Sequence, residues 1–449
     1  MKKIAIIGGG AAGLAAAIAA GNELARLGAA DECEIVLFEA DPERVGRSIL
    51  ATGNGRCNFS NAHIDPACYC NADFVEAALR SLARLSEVSE WGSVQPAGAY
   101  GASAQGSAQP ASAFEAPVQQ FFSDLGLMWR EEGEGRMYPA ANKASSVLDV
   151  LRAALDVSGA RVEFGKSLRA IELPARGKTR FHLRFSDGSI AHAEKVVLTV
   201  GGRGVSAVEV PSVIPRELTR PVLGPLATDS RITRQLNNIR VKCAVSLERS
   251  GSLVAREEGE LLFRDYGVSG VCVFNLSRFA CEGDVLSIDF LPYMSAADRD
   301  AWLFARRKHL SARLGENGQI AAEDVLRGAM LPQVAQVLCK CAGIDSARPL
   351  SKKDVLALSR VIGGLRLTVR GIGDVKQCQV SRGGLSIAAF DPQTMGAVRA
   401  SGLFAAGEAL DVDAPCGGYN LHWAWSSGLL AGVSAARSAV STDGEGEGE

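Results

Sequence analysis

Near the C-terminal end of the chain, G-L-F-A-A-G-E (Gly402–Glu408) runs through A-L-D-V-D-A-P-C to G-G-Y-N-L-H-W-A-W-S-S-G, ending at Gly428. The pattern predicts a short buried strand over Leu403–Ala406, a turn at Gly407 and an acid, Glu408, just past it. A loop containing Asp411 then leads to a helix that starts at Gly417-Gly418. A carboxylate in that place can accept from sugar-type hydroxyls. A helix N-terminus presents unpaired N–H groups and the positive end of its dipole to an electron-rich ring edge. At the other end of the chain, K-K-I-A-I-I (Lys2–Ile7) reads as a buried strand. Gly8-Gly9-Gly10-Ala11-Ala12-Gly13 fits G-x-G-x-x-G, and an alanine-rich helix follows from Leu14 to about Leu27. A second strand, Glu34–Phe38, ends at Glu39.

Each position has a physical reason. Gly8 permits the tight turn, Gly10 lets the backbone approach a diphosphate, and Gly13 lets the helix pack against the strand. Glu39 is placed to accept from ribose hydroxyls. It lies 26 residues after Gly13, somewhat beyond the usual ~20, and the polar stretch Gly28–Glu32 absorbs the difference. Two ends that each suit half of a dinucleotide point to FAD. The ADP half would sit on the N-terminal motif and the flavin's pyrimidine edge at the C-terminal helix.

Three further stretches carry chemistry. Val45–Asn61, V-G-R-S-I-L-A-T-G-N-G-R-C-N-F-S-N, gathers Arg56, Cys57, Asn58, Ser60 and Asn61 into a glycine-rich loop. It is suited to lining a diphosphate and a flavin ring, with Arg56 balancing phosphate charge or orienting an anionic substrate group. Lys195–Val200 reads as a second crossing strand, ending at Gly201-Gly202 beside the adenine end. Gly259–Gly270 reads as a hairpin with a glycine-rich tip, from which Tyr266 and Ser269 can reach a site.

The elements that must position these residues form an α/β chain of two or three domains in 449 residues. Helices are expected over Phe74–Glu90, Pro117–Gly126 and Ser145–Val157, and strands over Arg161–Phe164, Ser167–Leu173, Arg180–Ser186 and Ser189–Ala193. From about Leu226 the pattern becomes β-rich, with helices over Asp298–Leu310 and Lys352–Ala357. Strands are expected again at Gly364–Arg370, Gln377–Ser381 and Leu385–Phe390. The domain reading is a discontinuous FAD-binding domain, 1–221 and 376–449, and a β-rich insert for substrate, 222–295 and 361–375. A helical subdomain fills 296–360. Residues 92–112 read as a flexible insertion and 443–449 as a disordered acidic tail.

Composition narrows the partners. The net charge of −2 and the lack of a dense Lys/Arg cluster argue against nucleic acid; Arg306-Arg307-Lys308 reads as a solvated helix face. No apolar run approaches the ~18 residues of a membrane span, so no membrane partner is expected. Eleven cysteines without a leader pattern read as reduced thiols of a cytoplasmic protein. The C-x-C pairs Cys68/Cys70 and Cys339/Cys341 are too closely spaced for a zinc site, and no metal is expected.

With the motifs placed, the chain resembles a family of bacterial FAD-binding proteins, described as aminoacetone-oxidase-like flavoproteins or NAD(P)/FAD-dependent oxidoreductases. That family includes a bile-acid-pathway flavin reductase and sits within the glutathione-reductase/fumarate-reductase flavoprotein group. The resemblance is densest at Lys3–Gly13, Leu50–Asn61, Arg136–Leu151, Gly259–Gly270 and Gly402–Gly428. It implies a Rossmann-like FAD domain built from both chain ends, a β-barrel-like insert and a small helical subdomain. It also implies FAD contacts from Gly8, Gly10, Ala11, Ala12, Gly13, Glu39, Arg56, Cys57, Asn58, Glu408, Asp411, Gly418, Tyr419 and Asn420, to which Gly201 and Gly407 are added by position. The chain departs from the family pattern at Arg47-Ser48, over 203–215, at Cys416 and in the insertion at 92–112.

The expected function is hydride transfer between flavin N5 and a small organic substrate, with His422, Trp423, Tyr419 and Arg56 on the substrate face and His422 able to deliver a proton. Two subclasses fit: an NAD(P)H-fed reductase of an activated C=C bond, or an amine oxidase returning electrons to oxygen. With one G-x-G-x-x-G, either NAD(P)H binds only transiently or an external donor supplies the electrons. No C-x₄-C lies near the N-terminus, which argues against a disulfide reductase. An FAD-binding protein of RNA modification is the reading from a different class.

Overall fold

The structure is a computed structural model that describes residues 1–88, 114–175, 177–314, 320–344 and 350–441. The expected flexible insertion at 92–112 and tail at 443–449 lie outside the described residues. The chain divides into two compact units, one of residues 1–220 and 380–449, the other of residues 221–379.

The first unit is built on a five-stranded parallel sheet in the order Leu403–Ala405, Lys195–Leu198, Lys2–Ile7, Cys33–Phe38, Arg161–Glu163. Parallel strands covered on both faces read as continuous apolar runs, and Ile4, Ala5, Ile6 and Ile7 are all buried. The N-terminal helix, Ala11–Arg26, and the C-terminal helix, Tyr419–Val440, pack against each other on this sheet. Their contact is made by small residues at fourfold spacing. A Cβ at Gly428 would collide with the Ala12 carbonyl oxygen, and one at Gly432 with that of Ala16. Backbones can approach this closely only where side chains are absent or are single methyls. An ion-pair group closes the far end of the helix pair: buried Glu23 accepts from Arg26 at 2.7 and 2.8 Å and from Arg437 at 2.6 Å. A two-stranded sheet joins Arg216–Val222 and Val380–Leu385, and two three-stranded antiparallel sheets also belong to this unit. One joins Ser60–Asn61, Arg136–Pro139 and Trp129–Glu132; the other joins Leu168–Glu172, Phe181–Phe185 and Ile190–Ala193.

The second unit is a closed six-stranded barrel: Leu226–Thr228, Gly267–Ser269, Ser252–Arg264, Arg240–Arg249, Val285–Asp289 and Leu365–Ile372, which pairs back to Leu226–Thr228. Helices Ala296–Leu314, Pro332–Cys341 and Lys352–Ile362 share the barrel's hydrophobic core, in which Val245, Leu286, Leu338 and Leu358 belong to one buried cluster.

Two local expectations are corrected. The hairpin at 259–270 turns at Asp265-Tyr266 rather than at a glycine tip, because Arg264 pairs with Gly267 across it. The strand expected over Leu385–Phe390 is instead the end of a strand, Val380–Leu385, followed by a 3₁₀ turn over Ile387–Ala389. The chain leaves the ladder after Leu385, which bridges to Leu410, and the Ser386 amide then donates to the Pro215 carbonyl at 2.9 Å.

Gly432→Val places a branched side chain against the Ala16 carbonyl. The expected result is a loss of about 1–3 kcal/mol in urea unfolding, with Gly159→Ala, at a position where an added Cβ meets nothing within 4 Å, as the control for backbone strain alone.

Candidate functional site

The first strand ends in a turn that only glycine can make. Gly8 has φ +102°, and a Cβ there would stand 2.7 Å from the Thr199 carbonyl oxygen. A Cβ at Gly13 would collide with the Gly8 carbonyl, so the helix can begin this close to the strand only with glycine at that position. Thr199 fastens the turn from the neighbouring strand by donating to the Ile7 and Gly8 carbonyls at 2.8 and 2.9 Å. Gly10 differs: the nearest atom to an added Cβ is Ser48 Oγ at 3.5 Å, an ordinary van der Waals contact, so the protein itself leaves this position uncrowded. Gly10 is also the helix N-cap and supplies no side-chain acceptor, and Leu14 is the first residue to bond back to it. The amides of Ala11, Ala12 and Gly13 thus stand at an uncapped helix N-terminus, the arrangement that accepts a diphosphate.

Glu39 holds this turn from the second strand. Its carboxylate accepts from the Gly9 and Asp41 amides, both at 2.7 Å. Each oxygen retains lone-pair capacity for a hydroxyl. Gly9, an unremarked x in the motif, is therefore an anchor, since a Cβ on it would meet Glu39 Oε2 at 2.8 Å.

At the other end, Gly407 has φ +65° and touches the N-terminal motif: an added Cβ would lie 3.0 Å from the Ala12 Cβ. The long helix supports Gly407 on both polar groups. Its amide donates to Ser427 Oγ at 2.9 Å and its carbonyl accepts from Trp423 Nε1 at 3.2 Å. Burial pushes the Glu408 carboxyl up to about 7, with Asp413 adding to the shift and the Ser381 and Gly202 amides and Arg203 opposing it. Asp411 accepts from the Gly383 amide at 2.8 Å, and its carbonyl accepts from Asn71 at 2.6 Å. Asn420 braces the loop by accepting from the Ala414 amide at 2.9 Å and donating to its carbonyl at 2.8 Å.

Gly417 and Gly418 have φ +132° and +102°. A Cβ on Gly418 would collide with the Ser60 carbonyl. The C-terminal helix thus starts directly against the Val45–Asn61 loop, again with no side-chain cap. In that loop Asn58 accepts from the Met137 amide at 3.0 Å, and Asn61 donates to the carbonyls of Gly417 and Glu134 at 2.9 and 3.0 Å. Cys57 is buried with φ +58°, and burial pushes its thiol up to about 11, so it is no thiolate at neutral pH. Gly201, with φ +71°, opens the short helix Gly201–Val205 after the Lys195–Leu198 strand.

The residues expected on the substrate face behave differently from one another. His422 is fully buried. Nε2 lies 3.1 Å from the Phe114 carbonyl, which can only accept, so this nitrogen carries the proton, and Nδ1 accepts from Ser60 Oγ at 2.9 Å. Burial lowers its pKa to about 3. With both nitrogens engaged and the ring neutral, His422 joins the Ser60 and Phe114 segments, and the expectation that it delivers a proton is corrected. Tyr419 donates to the His63 carbonyl at 2.9 Å, and burial pushes its phenol up to about 12. Arg56 is bound to Glu132 and Asn142 and lies 4.0 Å over the Tyr138 ring. Tyr266 and Ser269 belong to the barrel unit.

The turn, the uncrowded position at Gly10, the two uncapped helix N-termini and the carboxyl groups of Glu39 and Glu408 fit a dinucleotide with a flavin at one end. Such a site defines a flavin-dependent redox enzyme. The chain belongs to the family described as the HI0933-like protein Rossmann domain, whose model matches residues 108–434, and it is an FAD-dependent oxidoreductase, as the motifs imply. A 3-dehydro-bile acid delta(4,6)-reductase of Clostridium scindens is 29% identical over 97% of this chain and 99% of its own length. A ribosomal RNA dihydrouridine synthase of Haemophilus influenzae is 25% identical over 96% of this chain and 98% of its own. The open conformation of a flavocytochrome c3 fumarate reductase aligns at TM-score 0.44 and 14% identity, covering 98% of this chain and 78% of that chain. Among the described residues, no helix is long and apolar enough to cross a membrane, and no group of three or more His, Cys, Asp or Glu is placed to hold a metal.

The depressed pKa of His422 makes stability pH-dependent. Below pH 6.5 the unfolded chain takes up a proton that the folded ring refuses until about pH 3, so this stability is lost as pH falls through that window. The stability difference between wild type and His422→Gln should shrink by about 2 kcal/mol from pH 7 to pH 5 in urea unfolding.

Proposed function

We propose that the protein reduces a C=C bond conjugated to a carbonyl in a small organic substrate, with NAD(P)H as the transient electron donor. The observation that carries this reading is the end-to-end similarity to a bile-acid delta(4,6)-reductase. FAD, when bound, would supply hydride chemistry at N5, with the electrons coming from the nicotinamide and the second hydrogen arriving as a proton from solvent. The chain's own residues bind and orient. The amides of Ala11, Ala12 and Gly13 receive the diphosphate over Gly10, and Glu39 accepts from the adenosine ribose. Glu408 and Asp411 line the ribityl side, and the start of the Tyr419–Val440 helix faces the pyrimidine edge. Gly201, Gly407, Cys57, Asn58, Gly418 and Asn420 shape the walls. Arg56 keeps the Val45–Asn61 loop in place through Glu132 and Asn142. His422 excludes water from beneath that loop without exchanging a proton.

A second reading is favoured by the 25% identity to a ribosomal RNA dihydrouridine synthase across nearly both full lengths. Dihydrouridine is uridine with its conjugated C=C bond reduced, so the chemistry is the same and only the carrier of the double bond changes.

Both readings meet one experiment. The purified protein, loaded with FAD, is titrated anaerobically with NADH and NADPH and then mixed with either a 3-oxo-4,6-diene steroid acid or unmodified ribosomal RNA. The expected result is bleaching of the flavin bands by one nicotinamide, followed by reoxidation on adding the steroid and a product heavier by two hydrogens. Reoxidation by RNA alone would replace the small-molecule reading. Flavin that neither nicotinamide reduces would sink the donor assignment.

A further inference from the structure

The loop between Glu408 and Gly418 carries a charge pair that no expected site role uses. Asp413 is wholly buried, and Arg382 meets it side-on, with Nε at 2.6 Å from one carboxylate oxygen and Nη2 at 3.1 Å from the other. This planar fork-to-carboxylate geometry is the strong and orienting form of an ion pair. The pair belongs to a set. Asp411 holds the Gly383 amide, the Ser381 amide points at Glu408, and the Asp413 carbonyl takes the Cys70 amide at 2.8 Å. Three successive residues, Ser381 to Gly383, are thus each fixed by one of the three acids of the cofactor loop. Gly383 and Gly384 pack too closely for side chains, against the Leu218 carbonyl and the Ala409 carbonyl respectively. A buried pair of this kind is weak evidence for stability, since well-packed apolar residues of similar volume often do as well. Its effect lies in where it fixes charge.

We infer that Arg382 and Asp413 are positioning residues for the flavin. Arg382 holds the Asp411–Pro415 loop in register with the 381–383 segment, and its charge cancels that of Asp413 next to the cofactor. The inference rests on FAD lying along the Glu408–Gly418 loop. Reduction adds electron density to a flavin, so an uncompensated charge nearby shifts its midpoint potential, and the sign of the shift reports the sign of the charge.

The test uses full-length protein loaded with FAD in four forms: wild type, Arg382→Gln, Asp413→Asn and the double variant. The charge at the pair is neutral, negative, positive and neutral in turn. The midpoint potential and FAD dissociation constant of each are measured. The expected result is a lower potential for Arg382→Gln, a higher one for Asp413→Asn and a return toward wild type in the double variant. FAD binding should weaken in both single variants. Arg382→Lys, which keeps the charge but loses the fork, should keep the potential and lose affinity. Asp413→Asn leaves a partly exposed arginine able to turn to water, so it remains informative if Arg382→Gln does not fold. Shifts of the same sign in both single variants, or FAD bound at unchanged potential in all four forms, would overturn the inference while leaving the FAD site intact. A wild type that takes up no FAD would instead overturn the placement of the cofactor.

Discussion

Everything at the site depends on how closely two helices approach. The N-terminal helix begins at one half of the cofactor cradle and the C-terminal helix at the other, and more than 400 residues of sequence separate them. Ala12 and Ala16 meet Gly428 and Gly432 backbone to backbone. A single larger side chain on this line would move one helix start away from the other by the width of a methyl group. Gly407 would then lose its contact with Ala12, and the two carboxylate-bearing strand ends would no longer face one dinucleotide. Close packing transmits such a displacement because an interior at native density has no free volume to absorb it.

The C-terminal helix does a second task that its apolar composition hides. Several of its polar side chains are spent on loop groups rather than on water. Ser427 and Trp423 satisfy Gly407, Trp425 donates to the Phe59 carbonyl at 2.9 Å, and His422 spans Ser60 and Phe114. Buried loop amides and carbonyls need such partners, because each one left unpaired costs about 1–3 kcal/mol. The aromatic pair thus packs and hydrogen-bonds at once. The neutral His422 ring follows from the same requirement, since one carbonyl and one hydroxyl occupy both nitrogens and no counter-charge accompanies it.

Much of this was legible in the sequence. The glycines of the first turn, the strand–acid pattern at Glu39 and the Gly407-Glu408 and Gly417-Gly418 steps are local, and each has a backbone reason visible in one residue type. The β-rich character of the second unit was visible as short apolar runs between turns, and the barrel came from the family resemblance, although the longest strand, Ser252–Arg264, was masked by its glutamates. The Pro332–Cys341 helix escaped because its apolar positions fall in a short run without strong caps. What could not be read was long-range pairing. Nothing near Arg382 announces Asp413, nothing near His422 announces Ser60 and Phe114, and Gly9 looks like filler until Glu39 is seen to bind its amide. These depend on residues brought together from distant parts of the chain, and a single sequence carries no signal for them. For His422 the residue type suits either proton transfer or packing, and only the geometry shows both nitrogens already in use.

The three acids of the Glu408–Gly418 loop also show how a chain can crowd carboxylates into a short segment. Glu408, Asp411 and Asp413 fall within six residues, and three uncompensated charges there would repel both one another and an anionic ligand. Each is handled differently. Glu408 is buried enough to hold its proton up to about pH 7, so near neutrality it can both donate to and accept from hydroxyls. Asp411 takes a backbone amide, and Asp413 takes a guanidinium. The loop therefore keeps the hydrogen-bonding capacity of three carboxyl groups with far less than three negative charges. The positive ends of the two helices are thereby left unneutralised by the protein's own acids.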